Sequence, residues 1–303
     1  MRLEQNRRLK NDCEIAVARM MTATIVNGKT IAKEIRQQLA VEIQQLRKKH
    51  QTQPLVTTLT IGSNRSSELY MKLRNAACSE IGIIPKVIPF PSDTPEKTII
   101  ETIRRLNDDS SVHGIFIQYP VPPQISPNHL MQTVDASKDI EGFNPENLGR
   151  TLIGDEYLLP CTPLSVLTIL KHENIVLKGK DVVIVNHSNI VGKPLAALLL
   201  NRDATVSVCH MFTQNLKAYT SQADVLISGA GVQQLITAEH VKDQATVIDV
   251  GIIETAEGIR GDVDFESVKE KAGVLTPVPG GVGPVTIAAS LSNIVKIFKN
   301  SLQ

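Results

Sequence analysis

Short apolar segments rich in β-branched residues alternate with amphipathic segments along most of the chain, and this alternation is the strongest constraint on its fold. Leu55–Ile61 and Asp181–Val185 are segments of the first kind, whereas residues 29–50 carry an apolar side chain at every third or fourth position. A short segment that is apolar on both faces is typical of a buried strand, and amphipathic segments are typical of the helices that cover it. The sequence therefore predicts the α/β class, with parallel sheets covered by helices.

The predicted elements form two successive series. In the first, strands are predicted at Leu55–Ile61, 86–90 and 114–118, with helices at 29–50, 66–81 and 95–107. In the second, which begins near Pro160, strands are predicted at Asp181–Val185, Thr205–Cys209, 224–228 and 246–250. Short connections between strands and helices in the second series are typical of a doubly wound, dinucleotide-binding domain. A last amphipathic helix is predicted over residues 284–298.

The composition argues against several classes of partner. The 303 residues include 32 Lys and Arg against 31 Asp and Glu, so the chain lacks the basic excess that nucleic-acid binding requires. Aromatic residues make up 3% and Trp is absent, which removes the usual stacking surfaces for single strands. No apolar run reaches the roughly 18 residues that a membrane span needs. We therefore expect neither nucleic acid nor a membrane as a partner.

The cysteines and the N-terminal residues indicate a cytoplasmic protein. The four cysteines lie far apart without a CxxC pair, which is typical of buried thiols in a reducing compartment. The seven histidines show no HxxxH or HxxEH spacing, so no metal site is expected. Residues 1–20 are polar and weakly basic and lack the apolar core of a signal peptide, so we interpret them as a flexible extension.

Gln118 is a candidate binding residue because of its place in the first series. It ends the apolar strand predicted at 114–118, and the proline-rich segment 119–123 that follows cannot continue a sheet or a helix. Ligands of open α/β sheets bind at the carboxyl ends of the strands. We therefore expect Gln118 to face a ligand.

The segment 186–194 is a candidate phosphate-binding turn, since it joins a predicted strand to a predicted helix. Backbone N–H groups in such a turn point at an anion. Asn186 stands where the first glycine is usual, and Asn tolerates a left-handed backbone better than most residues. An ordinary strand-to-helix turn explains the local sequence equally well.

The end of the strand Thr205–Cys209 bears on the choice of cofactor. An NAD site usually places an Asp or Glu there to bind the ribose hydroxyls. Here His210 and Met211 follow instead, which favours NADP. His187 and His210 are the available donors for a ribose phosphate, and each is equally compatible with a packed or solvated histidine.

Two further segments have more than one interpretation. Residues 276–284 contain three glycines and three prolines, which suits either a loop that approaches a ligand closely or a stiff connector. Tyr70 and Arg74 lie four residues apart on a predicted helix and so share one face. By themselves they are most simply interpreted as a solvated helix surface.

These segments occur together and in this order in the family of bifunctional methylenetetrahydrofolate dehydrogenase/cyclohydrolases, which the chain resembles over about residues 21–300. The strongest matching motifs are GIFIQYPVP at 114–122, PCTP at 160–163, SNIVGKP at 188–194, GDV at 261–263 and TPVPGGVGPVT at 276–286.

The resemblance implies a domain organisation and a reaction. Residues 21–160, completed by 279–303, would form a catalytic α/β domain, and residues 161–278 a Rossmann-type NADP-binding domain that faces it across a folate cleft. Methylenetetrahydrofolate would be oxidised with NADP, and the methenyl product would then be hydrolysed to formyltetrahydrofolate. The resemblance also implies a homodimer that serves one-carbon metabolism and purine biosynthesis.

The resemblance assigns roles to individual residues. Tyr70 would pack on the folate, Arg74 would supply the catalytic cation and Gln118 would hold it, with Glu141 as a further catalytic group. The loop Pro279-Gly280-Gly281 would border the folate. The residues that would line the NADP site are Asn186, His187, Ser188 and Ile252.

Four positions depart from the family pattern. Arg74 replaces the lysine of the motif Tyr-x-x-x-Lys, and Glu141 replaces an aspartate. Asn186 replaces the first glycine of the phosphate turn, and Met211 occupies a position that is often polar. Arg stays protonated where a buried lysine can lose its proton, so the first exchange is not conservative. Two alternatives follow: a dehydrogenase with weak or lost cyclohydrolase activity, or a catalytically impaired binding paralogue.

Overall fold

The computed structural model describes residues 22–62 and 65–303, which fold into two compact units. The first unit comprises 29–168 and 284–303, and the second comprises 169–283 with the described residues up to Gly28. The extension expected at 1–20 lies outside the described residues. Residues 22–28, which the resemblance assigns to the first domain, belong to the second, because Thr24 and Ile25 pair with a strand of its sheet. The family-based boundary at 160 also differs, since 161–168 belong to the first unit.

The first unit is a small parallel sheet covered by helices. With elements numbered in chain order, its strands are β2 (Leu55–Ile61), β3 (Ile84–Phe90) and β4 (Gly114–Ile117), in the order β3-β2-β4. Its helices are α1 (Gly28–His50), α2 (Arg65–Glu80), α3 (Glu96–Asp108), α4 (Pro127–Thr133), α5 (Pro145–Ile153), α6 (Cys161–His172) and α10 (Val282–Ser301), of which α1, α6 and α10 cross a unit boundary. Thr58 of β2 lies opposite Val87 of β3 and Phe116 of β4, so these three side chains share one face.

Two apolar cores flank this sheet. One contains buried residues of α1, α2 and α10 packed around Val56 and Phe116. The other contains Leu59 and Ile117 together with buried residues of α3 and α4. Because both faces are covered, β2 and β4 are buried along nearly their whole length, as the sequence predicts for strands of a covered parallel sheet.

The second unit is a six-stranded parallel sheet in the order β1-β11-β8-β7-β5-β6. Its strands are β1 (Thr24–Ile25), β5 (Asp181–Val185), β6 (Thr205–Cys209), β7 (Val225–Ser228), β8 (Thr246–Asp249) and β11 (Val274–Leu275). Helix α7 (Gly192–Leu200) follows β5, and short helices α8 (Leu216–Thr220) and α9 (Phe265–Val268) follow later. The chain order reverses at β5, which lies between β6 and β7. Ligands bind at such a switch point in doubly wound sheets.

The fold confirms the predicted two-domain α/β class with parallel sheets, and it corrects several details. β2, β5 and β6 have the predicted bounds, whereas β1, β11 and the hairpin of β9 (Ile253–Thr255) and β10 (Gly258–Arg260) were not predicted. Among the described residues, no helix combines the length and the apolar character that crossing a membrane requires.

Candidate active site

Arg74 lies inside the first unit, although its local sequence suggested a solvated helix surface. Its side chain is only 1% exposed, and its guanidinium carbon lies 3.6 Å from the centre of the Phe116 ring. A cation over an aromatic face is attracted by the negative charge of the ring surface. The sequence interpretation failed because Phe116 lies on another strand, 42 residues away in the chain.

The Arg74 guanidinium is only partly satisfied by the protein. Nη2 donates hydrogen bonds to Thr58 Oγ1 and, at 3.5 Å, to Asn75 Oδ1. Nε and Nη1 are buried and have no hydrogen-bond partner among the described residues. Donors left without an acceptor in the interior cost free energy, more so on a charged group. Two unpaired donors on one buried cation therefore indicate that a ligand supplies the acceptors.

Glu141 brings a carboxyl group to the same cluster. Its Oε1 atom is buried without a partner among the described residues. Burial raises the pKa of Glu141 to about 7, and the negative charge of Asp139 adds to that rise, while the Arg74 cation acts in the opposite direction. A carboxyl group with a pKa near neutrality can both give and take a proton under working conditions.

Two residues that the sequence analysis missed hold the Glu141 segment in place. Asp139 accepts hydrogen bonds from the backbone N–H groups of Gly142 (3.0 Å) and Asn144 (2.8 Å). Asn293 of α10 donates to the carbonyl oxygens of Ile140 and Leu159, both at 2.8 Å. Asn293 is 153 residues from Ile140, so no local signal in the sequence joins them. The backbone on both sides of Glu141 is thus fixed.

Gln118 follows β4 as predicted, at the carboxyl end of the strand. Its Nε2 donates to the carbonyl oxygen of Tyr119 at 2.8 Å, and its Oε1 is buried without a partner among the described residues. None of the hydrogen bonds found within the described ranges joins Gln118 to Arg74, whereas the resemblance implied that Gln118 holds the cation. Gln118 therefore presents an acceptor that is available to a ligand.

Tyr70 lies one helical turn before Arg74 and completes the cluster. Its ring stacks on Phe116 with 6.4 Å between the centroids. Burial raises the pKa of Tyr70 well above its usual value, and the nearby Glu141 carboxyl adds to the effect. The phenol therefore stays protonated and can donate a hydrogen bond. The structure thus brings Tyr70, Arg74 and Glu141 together, and Gln118 stands at the end of the strand that carries Phe116.

The predicted phosphate turn follows β5 in the second unit, and Asn186 organises it. Its Oδ1 accepts hydrogen bonds from Ser188 N and Oγ, both at 2.8 Å, and from Gly192 N at 3.0 Å. Its Nδ2 donates to the carbonyl oxygen of Gly229, which follows β7. The sequence analysis considered a left-handed backbone for Asn186. Asn186 does not adopt it, because it is not one of the described residues that have a positive φ angle. The side-chain amide closes the turn instead.

His187 and His210 lie side by side at the carboxyl ends of β5 and β6. Their ring centroids are 4.9 Å apart. The backbone N–H of Phe212 donates to His210 Nδ1 at 3.2 Å, which leaves Nε2 of that ring as a donor. Met211 and Ile252 are exposed, the latter to 66%. A pair of imidazole rings at this edge suits an anionic ligand group.

The glycine-rich loop belongs to the second unit and has a constrained backbone. Val278–Pro279 is a cis peptide, and Gly280 has a φ of +107°, which favours glycine. A Cβ atom on Gly281 would lie 2.6 Å from the carbonyl oxygen of Pro277. These positions therefore need glycine for conformation and packing, whatever they bind.

Comparisons with known proteins identify both units. The model of the tetrahydrofolate dehydrogenase/cyclohydrolase catalytic domain matches residues 26–141, and that of the corresponding NAD(P)-binding domain matches residues 160–302. The bifunctional protein FolD of Methanosarcina mazei is 43% identical over 278 residues, which is 92% of this chain and 97% of that protein.

Solved structures agree with these matches. The bifunctional FolD enzyme of Campylobacter jejuni, a methylenetetrahydrofolate dehydrogenase/cyclohydrolase, has a TM-score of 0.90 at 43% identity, with 92% of this chain and 99% of that chain covered. The FolD enzyme of Trypanosoma brucei, solved with NADP and an inhibitor, has a TM-score of 0.89 at 31% identity, with coverages of 93% and 99%.

Proposed function

The chain belongs to the tetrahydrofolate dehydrogenase/cyclohydrolase family, and we propose that it oxidises methylenetetrahydrofolate with NADP and hydrolyses the methenyl product to formyltetrahydrofolate. The protein is then both an oxidoreductase and a hydrolase of one-carbon metabolism, and its product serves purine biosynthesis. The single observation that carries the proposal is the set of buried polar atoms without partners on Arg74, Gln118 and Glu141.

These atoms suit the polar ring system of a folate. Nε and Nη1 of Arg74 offer two donors on a fixed cation, and Oε1 of Gln118 offers an acceptor. The Tyr70 ring offers an apolar face and a hydroxyl group that stays protonated. Bound folate would satisfy the groups that the protein leaves without partners, and this gain is the physical basis of specific binding.

Oxidation and hydrolysis require different properties of these residues. Oxidation requires the methylene carbon to be held in place and positive charge to be tolerated nearby, and a fixed Arg74 cation can orient the folate. Hydrolysis requires proton movement as water adds to the methenyl carbon. Glu141, with its pKa of about 7, is the group suited to move that proton, because Arg74 stays protonated.

The second unit fits NADP. A Cβ atom on Gly192 would lie 2.0 Å from the carbonyl oxygen of Asn186, so glycine lets the start of α7 approach the turn after β5 closely. Backbone N–H groups in such a turn bind a pyrophosphate. His187 and His210 can donate to a ribose phosphate, and no carboxylate immediately follows β6. Ser188 and Ile252 complete the proposed site. When bound, NADP accepts the hydride that leaves the methylene carbon.

One observation favours a second function, a dehydrogenase with weak cyclohydrolase activity. Arg74 stacks on Phe116 and cannot release a proton near neutral pH, whereas a lysine in the interior can. If proton transfer at position 74 limits hydrolysis, then arginine in place of lysine lowers the rate of hydrolysis more than the rate of oxidation.

Paired assays with the purified full chain test the proposal. One assay follows methenyl formation from methylenetetrahydrofolate with NADP, and the other follows methenyl hydrolysis. We expect both reactions, with kcat/KM higher for NADP than for NAD. Oxidation without hydrolysis above the uncatalysed rate would support the second function. Neither reaction in a folded protein that still binds folate would point to the impaired binding paralogue.

We also propose a cytoplasmic homodimer. Cys78, Cys161 and Cys209 are buried free thiols, which is typical of proteins in a reducing compartment. Comparison of the protein in cytosolic and membrane fractions of its cell tests the location. Sedimentation equilibrium tests the dimer.

A further inference from the structure

The imidazole rings of His187 and His210 form a pair that the second unit holds at the carboxyl edge of its sheet. The two residues follow β5 and β6, neighbouring parallel strands whose last residues, Val185 and Cys209, lie opposite each other. The strands therefore end at the same edge, and the two ring centroids lie 4.9 Å apart. Both histidines are exposed, so a ligand at this edge can reach both rings.

The two rings differ in their hydrogen bonds. Nδ1 of His210 accepts from the backbone N–H of Phe212 at 3.2 Å, which places the proton of the neutral ring on Nε2. A second proton, on Nδ1, would break this bond. Within the described residues His187 has a ring contact with His210 and no side-chain hydrogen bond or ion pair. His187 can therefore take up a second proton without losing a bond, whereas His210 is held as a neutral donor.

The surroundings of the pair contain few other charges. Acidic residues are absent from the segments that form this edge, namely 186–200, 205–215, 228–234 and 250–253. In these segments the fixed cation is Lys193 of α7, whose Nζ donates to Asn189 Oδ1 at 2.7 Å. On α8, Lys217 is paired with Glu239 at 2.8 Å. The charge on His187 is therefore set by the solution and by a bound anion, since none of these segments supplies a carboxylate to it.

The ribose phosphate is the part of NADP that NAD lacks. Such a phosphate monoester carries nearly two negative charges at neutral pH. A hydrogen bond between two charged groups is roughly twice as strong as one between neutral groups. A protonated His187 offers the phosphate such a bond, whereas a neutral ring offers an ordinary one. The two states of His187 therefore differ in their affinity for NADP and not in their affinity for NAD.

We propose that His187 discriminates NADP from NAD by taking up a proton from solvent when NADP binds, and that His210 assists as a neutral donor. The proposal rests on the NADP-dependent function proposed above and adds the residue that sets the choice of cofactor. Binding that takes up one proton weakens by at most about tenfold for each unit by which pH rises. The preference for NADP should therefore shrink as the solution becomes alkaline.

Isothermal titration calorimetry of the full chain tests this dependence. Titrations with NADPH and with NADH, from about pH 6.5 to 8.5 at constant ionic strength, give the ratio of the two dissociation constants at each pH. Titrations with NADPH in two buffers of different ionisation enthalpy count the protons that are taken up.

Four variants separate the roles of the two rings. His187→Gln removes the group that gains the proton, and His187→Arg replaces it with a cation that stays charged. His210→Gln keeps a neutral donor at the second position. His172→Gln, a change of an exposed histidine of the same unit that pairs with Glu173, is the control.

In the wild type, we expect the preference for NADPH to fall by about tenfold or more across this pH range, with up to about one proton taken up. His172→Gln and His210→Gln should keep this slope. His187→Gln and His187→Arg should show a preference that does not change with pH, low in the first and high in the second.

A wild-type preference that stays constant with pH overturns the proposal, and so does a slope that persists in His187→Gln. A slope in His187→Arg equal to that of the wild type would assign the proton to the phosphate, and loss of the slope in His210→Gln would assign it to His210. Each of these results leaves the NADP-dependent function intact. A folded protein that binds neither dinucleotide at any pH overturns that function as well.

Discussion

Asp262 in the second unit and Glu141 in the first both place carboxyl oxygens out of contact with water, but the protein satisfies only one of them. Both oxygens of Asp262 accept hydrogen bonds, from Ser228 Oγ (2.7 Å) and from the backbone N–H groups of Ala230 (2.5 Å), Gly231 (2.9 Å) and Val232 (3.1 Å). Oε1 of Glu141 accepts none from the described residues.

The same contrast holds for the neighbours of each group. Beside Asp262, Asp249 accepts hydrogen bonds from the backbone N–H groups of Gly251 and Val263, both at 2.9 Å. Beside Glu141, Arg74 and Gln118 also have buried atoms without partners. A buried polar group that the chain satisfies by itself contributes to the fold, whereas one left unsatisfied is available to a ligand. The two carboxyl clusters therefore have different roles, although both contain buried carboxyl oxygens.

The largest expected effect concerns the satisfied cluster. Asp262→Ala should lower the free energy of unfolding by about 3 kcal/mol or more, since each buried donor left without an acceptor costs about 1–3 kcal/mol. Urea denaturation measures this loss. Asp264→Ala, in the same loop and without a side-chain capping bond, should change stability by no more than about 0.5 kcal/mol. Equal losses in the two variants would mean that the hydrogen bonds to Asp262 do not hold this loop.

The pH dependence of stability tests the unsatisfied cluster. The pKa of Glu141 is raised from 4.5 to about 7, so the folded chain binds more protons than the unfolded chain between these values. Stability should therefore fall as pH rises from about 4.5 to 7 and level off above, by at most about 3 kcal/mol.

Glu141→Gln should remove the part of this slope between about pH 6 and 7, whereas below pH 6 the buried Asp249, whose pKa burial raises to about 6, still contributes a slope of the same sign. Glu146→Gln, an exposed change on α5, should keep the whole slope. Denaturation midpoints measured at intervals from pH 4 to 8 decide the matter. A slope that persists unchanged in Glu141→Gln would assign it to other groups.

Gln118→Ala should separate activity from stability. The loss of its ligand-facing acceptor should reduce kcat/KM by roughly a hundredfold, as for other positioned hydrogen-bonding groups, which is about 2.7 kcal/mol. The melting temperature should stay nearly unchanged, because the side chain makes one hydrogen bond, from Nε2 to the neighbouring Tyr119 carbonyl, and its Oε1 has no partner in the described protein. Gln124→Ala, an exposed glutamine that donates to Ser92 O, is the control for both measurements. A large loss of stability with activity per folded molecule preserved would make Gln118 structural.

The sequence predicted the parts of the fold that depend on local periodicity. β2, β5 and β6 are long enough for their apolar character to identify them, whereas β1 and β11 have two residues each and no period to detect. Gln118 was proposed as a binding residue because a strand end before prolines is a local signal. That proposal needed no alignment.

The rest of the site depends on contacts that local sequence does not contain. Arg74 is interpreted as a surface residue until Phe116 is known to lie beneath it. Asn293 holds the Glu141 segment from 153 residues away, and nothing near it in the chain indicates this. The resemblance supplied the positions of Arg74 and Glu141 in the sequence, but not their unsatisfied atoms, which only the packing reveals.

The smallest expected effect is that of Arg74→Lys on the rates of the two reactions. The Arg74 cation can orient a folate for oxidation, but a guanidinium does not release its proton as an amine can, so it is unsuited to proton exchange during hydrolysis. Arg74→Lys should therefore raise methenyl hydrolysis by about tenfold, a modest share of what proton transfer contributes to catalysis. Methylene oxidation should change less, and the loss of the stacking on Phe116 should lower stability by about 1 kcal/mol.

Lys72→Arg is the matched control, because it makes the reverse exchange on the exposed side of the same helix. It should leave both rates as they are in the wild type. Both rates are measured at one pH for the wild type, Arg74→Lys and Lys72→Arg. The deciding quantity is the gain in the hydrolysis rate divided by the gain in the oxidation rate. If Arg74→Lys raises both rates equally, or leaves hydrolysis unchanged, proton transfer at this position does not limit the second reaction. Glu141, whose pKa of about 7 suits the same task, would then be the group that moves the proton.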